Sequence, residues 1–190
     1  MRNGIRGVLV AAFMAPVAVW AGGGATDDGA GASVCRVDAS KFESLCADVG
    51  MRIPDKDKSG PYEYRYQRQV YEAACVDLET DSEAEIARKV STVWNANEDW
   101  LYCSSNQFNV PNGSILKYAV SRTFTAFLDD AIEIWQVNLN KVDASDGRTL
   151  LDYVASEQEK RKGTGIEKTL QQYYDKLRRY GAKHRAELNR

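Results

Sequence analysis

The stretch Lys141–Val154, KVDASDGRTLLDYV, is the strongest indication of the fold in this sequence. In it, Gly147 and Thr149 come just before the apolar pair Leu150 and Leu151. Glycine allows the backbone to turn sharply, and a threonine oxygen can accept a hydrogen bond from an unpaired backbone N–H at the start of a helix. The stretch therefore predicts a turn that leads directly into a helix.

A similar pattern occurs earlier in the chain, in NGSILKYA at Asn112–Ala119. Aligning Ser114 with Thr149 places Leu116 on Leu151, about 35 positions apart, a period typical of repeat proteins. In such proteins each helix pair is too thin to bury its own apolar face and stacks on its neighbours. The two segments therefore predict a repeated helical unit.

Other parts of the chain also carry helix signals. Ser82 with Glu85, and Thr164 with Glu167, have the spacing of capping boxes, in which a hydroxyl and a carboxylate pair with backbone N–H groups at a helix start. Apolar residues at helical spacing follow each pair and also occupy Ser121–Trp135. No convincing alternating strand run occurs, so we predict an all-α fold.

The repeated unit resembles the ankyrin repeat, which has the pattern G-x-T-P-L-H, then a helix end of the form L-x-x-x-G-A, then V-N-x-x-D. The matching residues are Gly147, Thr149 and Leu151 for the first pattern, Leu177, Gly181 and Ala182 for the second, and Leu139, Asn140 and Asp143 for the third. Leu150 and Asp152 depart from the pattern, since they replace its proline and histidine. The resemblance implies a short stack of ankyrin-like helix–turn–helix repeats, with units at about 66–103, 114–137 and 149–183.

The N-terminal residues have the pattern of an export signal. In residues 1–21, Arg2 and Arg6 precede an apolar run, and a small-x-small pattern ends at Ala21, which is typical of a cleaved signal peptide. Residues 22–34 are rich in glycine and alanine and are expected to form a flexible leader. We therefore predict one helical repeat domain at 35–190, a periplasmic location and no membrane span after signal cleavage.

Four cysteines, Cys35, Cys46, Cys75 and Cys103, lie in the N-terminal part of this domain. An even number in an exported chain predicts two disulfides that stabilise the N-terminal helical region. The sequence leaves three pairings open, of which we favour Cys35 with Cys46 and Cys75 with Cys103. A zinc site is not expected, because there is no C-x-x-C and the lone histidine, His184, is remote in sequence.

Charge and motifs argue against several classes of function. The net charge is −2 and becomes more negative when Arg2 and Arg6 are removed, so nothing favours binding to nucleic acid or an anionic membrane. Nucleophile elbows, phosphate loops and H-E-x-x-H motifs are absent from the sequence. Asp55–Gly60 resembles the start of a calcium loop, but Tyr66 stands where a glutamate is required. We expect His184 to be a solvated tail residue, and we expect no enzyme activity, metal or cofactor.

The ankyrin resemblance implies a protein partner, bound on a face built from turn tips and the first helices of the repeats. The residues expected to contact it are Asn109, Asn112, Asn138, Asn140, Asp143, Asp146, Arg148, Asp152 and Tyr153. An exported chain of this kind is similar to periplasmic ankyrin-type immunity proteins of type VI secretion effectors. That similarity implies a module that binds and occludes a secreted toxin of the lipase or peptidoglycan hydrolase type. The alternative is a periplasmic scaffold or accessory subunit of an envelope enzyme complex.

Overall fold

The computed structural model describes residues 36–57, 60–104 and 113–188 of the chain. The predicted signal peptide and leader, Cys35, Asn109 and Asn112 lie outside the described residues. Within them the fold is mostly helical, as predicted. Seven α-helices are present there: α1 Leu45–Met51, α2 Arg65–Ala73, α3 Glu83–Ala96, α4 Ile115–Ser121, α5 Thr125–Asp129, α6 Leu150–Lys160 and α7 Glu167–Arg179.

Short elements complete this architecture. A two-stranded antiparallel sheet joins β1, Tyr102–Cys103, to β2, Gly113–Ser114, with Tyr102 opposite Ser114. A π-helical turn, Asp130–Ile134, continues α5. Three 3₁₀ turns lie at Ala39–Phe42, Glu98–Leu101 and Arg185–Glu187. The sheet lies directly before α4, so it fixes where that helix begins.

Most of the predicted helix starts are confirmed. The Ser82 hydroxyl accepts from the Glu85 N–H at 3.3 Å, and the Glu85 carboxylate accepts from the Ser82 N–H at 3.2 Å. Ser114 and Thr149 cap α4 and α6. Gly147, with φ +70°, adopts the left-handed conformation that the turn before α6 requires.

Two helix starts differ from the prediction. The N-cap of α7 is Ile166, because the Thr164 hydroxyl donates to the Arg161 carbonyl instead of capping the helix. The helix expected from Ser121 begins only at Thr125, because Thr123 adopts φ +51° and separates α4 from α5. A threonine in the left-handed region is uncommon, so periodicity alone could not reveal this break.

The helices pack around one aromatic core. Tyr66, Phe127 and Trp135 are almost completely buried, and their rings meet at centroid distances of 5.0–6.0 Å. Helix α1 packs against α2 and α4, α4 also packs against α6, and α6 packs against α7. The first helices of the two predicted C-terminal units, α4 and α6, are therefore neighbours, and Ser114 at the start of α4 is hydrogen-bonded to Asp143 in the turn before α6.

A disulfide fixes the N-terminal part of this core. Cys46 in α1 is bonded to Cys103 in β1, 57 positions along the chain. The pairings that we favoured from the sequence are therefore wrong, because packing of α1 beside the sheet brings together cysteines that are distant in sequence. Cys75 is disulfide-bonded as well, and no described cysteine is a free thiol.

Among the described residues, no helix has both the length and the apolar character needed to cross a bilayer.

Candidate functional site

The turn before α6 is built around the carboxylate of Asp143, which is 4% exposed. It accepts hydrogen bonds from the Tyr102 hydroxyl at 2.7 Å and the Ser114 N–H at 2.9 Å. The Ser145 N–H and hydroxyl donate to it at 2.8 and 2.6 Å. The Lys117 ammonium lies 3.0 Å away. Asp143 thus joins the sheet, α4 and the turn, and its side chain is used within the fold.

Lys117 is the second centre of this arrangement. It lies in the apolar run Ile115–Val120 of α4 and is 5% exposed. Its ammonium also donates to Asp146 at 2.6 Å and lies 5.7 Å from the centre of the Tyr153 ring. A buried ammonium is costly unless it is paired, and two carboxylates satisfy that requirement here.

Asp146 and Arg148 form the outer part of the site. Their side chains are 28% and 34% exposed, and the Arg148 guanidinium binds the Asp146 carboxylate at 2.7 Å. The same guanidinium stacks 5.3 Å over the Tyr153 ring. We refer to Tyr102, Lys117, Asp143, Asp146, Arg148 and Tyr153 as the turn cluster. Its buried base holds a partly exposed acid–arginine pair in one orientation.

Burial and hydrogen bonding determine which groups of the turn cluster are charged. Burial alone would raise the pKa of Asp143, but hydrogen bonds from Ser145, Tyr102 and the Ser114 N–H together lower it well below its usual range. Burial raises the pKa of Tyr153 to about 12. Asp143 is therefore an anion and Tyr153 a neutral phenol at neutral pH.

Two other predicted contact residues hold the C-terminal segment. The Asn140 side chain accepts from the Lys183 N–H at 2.7 Å and donates to the Gly181 carbonyl at 3.2 Å. The Asp152 carboxylate accepts from the Arg185 N–H at 3.0 Å and contacts the His184 ring at 2.8 Å. Both side chains are only partly exposed and contribute to the fold.

The expectation that His184 is a solvated tail residue is wrong. Its ring lies between the Asp152 carboxylate and the Tyr174 hydroxyl, 3.0 Å away, and its side chain is 31% exposed. The segment after Gly181 folds back onto the start of α6 instead of leaving the domain. A sequence pattern does not reveal this, because the contacts join residues at least ten positions apart.

Asn138 is the most accessible of the predicted contact residues that the structure describes outside the turn cluster. It is exposed and lies on the segment between the π-helical turn and the turn cluster. Its side-chain oxygen accepts from the Asn140 N–H at 3.0 Å. It also lines two cavities, one of about 50 Å³ and one of about 410 Å³. The predicted face therefore contains concave surface as well as charged groups.

The described residues show no cluster of histidine, cysteine or acidic side chains that could hold a metal ion. At the segment that resembles a calcium loop, the Arg68 guanidinium lies 2.7 Å from Asp55 and 3.2 Å from Asp57. A protein cation thus occupies the space between these carboxylates.

The sequence does not predict Tyr102 on the partner-binding face, and it places Lys117 on a first helix of that face without predicting that the side chain is buried. Lys117 carries a signal that could have identified it, since it is the one charged residue in the apolar run ILKYAV. A lysine at such a position requires a buried acidic partner. Tyr102 carries no comparable signal, because its role depends on the pairing of β1 with β2.

Comparison of the chain with models of known protein families, with curated proteins and with solved structures gave no match. Functional inference therefore depends on the geometry of this chain.

Proposed function

We propose that this protein is an exported, periplasmic protein-binding module that binds a secreted toxin and occludes its active site. The observation that carries the proposal is the turn cluster, in which a buried ion pair orients the partly exposed pair Asp146 and Arg148. Groups fixed before binding lose little conformational entropy when a partner docks. Such an arrangement is suited to recognition of another protein surface.

An ankyrin-like stack is the proposed architecture behind this face. Helices α4 and α6 are neighbours, and each begins at a hydroxyl N-cap, Ser114 or Thr149. Each cap residue is also bonded to a later part of the chain. The Ser114 N–H donates to Asp143, and the Thr149 hydroxyl donates to the Lys183 carbonyl at 2.9 Å. The hydroxyl caps at the starts of these two neighbouring helices support a repeated unit.

Export is supported by the disulfide between Cys46 and Cys103. Disulfides persist in oxidising compartments such as the periplasm and are rare in the cytosol. The signal-like residues 1–21 support the same proposal. The partner is proposed to be a toxin of the lipase or peptidoglycan hydrolase type, as in the immunity proteins that the chain resembles. The acidic net charge favours a partner with a basic surface.

Affinity capture from periplasmic extract tests the proposal. The bait is the mature protein, compared with the double variant Asp146→Ala Arg148→Ala. The matched control is Lys162→Ala Gln171→Ala, which alters exposed polar residues in the α6–α7 region. We expect wild type and control to retain a common protein that the double variant loses, and we expect the captured protein to have hydrolase activity that the bait inhibits.

Two results would contradict parts of this proposal. Equal retention by the double variant would show that the turn cluster is not the binding face. A captured enzyme whose activity is unchanged or increased by the bait would favour a scaffold or accessory subunit over an inhibitor.

A further inference from the structure

The segment from Gln136 to Asn140 alternates between buried and exposed side chains. Val137 and Leu139 are buried, while Gln136 and Asn138 are exposed. The Gln136 side chain forms no hydrogen bond with the described part of the chain. The Asn138 amide nitrogen likewise has no partner there, since only its oxygen is used. The segment therefore presents unused amide donors and acceptors along an exposed ridge.

Asn138 of this ridge lines a small cavity. Its volume is about 50 Å³, which exceeds the roughly 10–15 Å³ that one water requires. Its apolar lining includes Trp94, Leu101, Leu116 and Leu150. The lining also contains polar residues, among them Glu98, Ser114 and Lys141, so an apolar group fits against the part formed by the four apolar side chains.

The ridge also lines a wider depression. It has a volume of about 410 Å³ and is lined by residues that include Ile132, Leu139 and Tyr180. Tyr180 is 45% exposed. Since Asn138 lines both cavities, an occupant of either lies within reach of its amide.

The charged groups around the small cavity are already paired. Lys141 forms an ion pair with Glu98, and Lys117 forms one with Asp143. An additional charge from a ligand would have to be desolvated without a new partner, which is costly. The rim therefore favours a neutral occupant with hydrogen-bonding groups, which is the chemistry of a peptide backbone with apolar side chains.

Building on the proposed function, we infer that the ridge at Gln136–Asn138 binds an extended, uncharged segment of the protein partner. An aliphatic side chain of that segment occupies the cavity beside Trp94 and Leu101. A backbone carbonyl of the segment accepts from the Asn138 amide, and a further apolar side chain rests against Tyr180. The turn cluster then orients the partner by charge, while the ridge provides an apolar anchor of the kind that dominates binding energy in protein interfaces.

A peptide titration tests this site without the natural partner. The probe is acetyl-Leu-Ser-Leu-amide, added to the isotope-labelled protein and followed by backbone amide NMR shifts. Acetyl-Gly-Ser-Gly-amide and acetyl-Glu-Ser-Glu-amide are the control peptides. We expect weak, saturable shifts for the leucine peptide at Leu101, Leu116 and Asn138, and at least tenfold weaker binding of both controls.

Three substitutions locate the site. Asn138→Trp places an indole at the mouth of both cavities and is expected to weaken binding of the leucine peptide at least tenfold. Lys162→Trp, a matched change at an exposed position after α6, is expected to leave binding within twofold. Thermal unfolding followed by circular dichroism checks that both variants are folded. Tyr180→Ala, at another exposed position, is expected to weaken binding several-fold.

The outcomes separate this inference from the proposed function. Saturable shifts confined to other surfaces, or equal binding by wild type and Asn138→Trp, would overturn the inference even if a periplasmic partner is captured. Peptide binding that Asn138→Trp abolishes would support the ridge even if no partner is captured. Capture of a partner that Asn138→Trp retains fully would also overturn the inference, while the proposed function would stand.

Discussion

Replacement of Asp143 by alanine should destabilise the protein more than replacement of its ion-pair partner Lys117 by methionine. Both side chains are buried, but they differ in what they leave behind. Asp143→Ala removes the acceptor used by Tyr102, Ser145 and the Ser114 N–H, and leaves Lys117 with Asp146 as its remaining partner. Lys117→Met leaves Asp143 with all its other donors, and methionine preserves most of the packing of the lysine stem.

These differences set the expected magnitudes. Removal of one partner from a buried pair costs about 3–5 kcal/mol, and we expect Asp143→Ala to fall in that range. For Lys117→Met we expect a loss of about 1–2 kcal/mol, since a hydrogen bond to a charged group is lost while the remaining donors still satisfy the carboxylate. The double variant Asp143→Ala Lys117→Met should lose less free energy of unfolding than the two single variants lose in total. The reason is that methionine removes the ammonium that Asp143→Ala leaves poorly paired.

Urea unfolding at pH 7, followed by far-ultraviolet circular dichroism, measures the free energy of unfolding of wild type, of the two single variants and of the double variant. The effect of Asp143→Ala should also depend on pH. Because the folded-state pKa of Asp143 is lowered, its contribution is complete above the unfolded value of about 3.9 and is lost as pH falls towards the folded value. Wild type and variant should therefore become more similar in stability below about pH 4.

The reasoning fails if Lys117→Met costs as much as Asp143→Ala, or if Asp143→Ala changes the free energy of unfolding by less than about 0.5 kcal/mol, the range of ordinary surface substitutions. Additive effects in the double variant would show that the two side chains do not interact.

Three further substitutions test the core. Gly50→Ala should destabilise by about 1–3 kcal/mol in urea unfolding, because the new methyl group would overlap the Tyr118 ring across the α1–α4 contact, although alanine is the better helix former. Asp130→Asn should maintain or increase stability at pH 7, since burial raises the pKa of this carboxylate; the gain should shrink as pH falls and wild type takes up a proton. Replacing both Cys46 and Cys103 by alanine should cost about 4 kcal/mol from the loop they close.

A specific result would contradict each of these three predictions. Gly165→Ala is the control for the glycine, because nothing lies within 4 Å of its added methyl group, and an equal loss there would refute the overlap argument. A large loss of stability in Asp130→Asn at pH 7 would show that the charged form is favoured in the folded protein. A double cysteine variant as stable as wild type would show that the disulfide does not constrain the unfolded chain.

The parts of the fold that depend on local interactions could be predicted from the sequence. A serine or threonine hydroxyl before an apolar run marks the starts of α3, α4 and α6, because the cap and the helix involve adjacent residues. The break at Thr123, the pairing of Cys46 with Cys103 and the contact of His184 with Asp152 could not be predicted. Each depends on tertiary packing that a local pattern does not specify.

The candidate site shows the same division. The turn residues Asp146 and Arg148 were recognisable because a glycine turn before a helix leaves its polar residues accessible. The buried position of Asp143 was not recognisable, because it results from the approach of β2 and α4 to the turn. The division of the site into a buried base and a partly exposed pair could therefore emerge only from the structure.

Hydrogen exchange of the captured complex, read by mass spectrometry, tests the central claim most directly, since it locates the binding face on this chain. We predict that exchange slows on binding in peptides that cover Gln136–Arg148 and remains unchanged in peptides that cover the exposed region Gly163–Gln171. Protection of Gly163–Gln171, with Gln136–Arg148 exchanging as fast as in the free protein, would contradict the account.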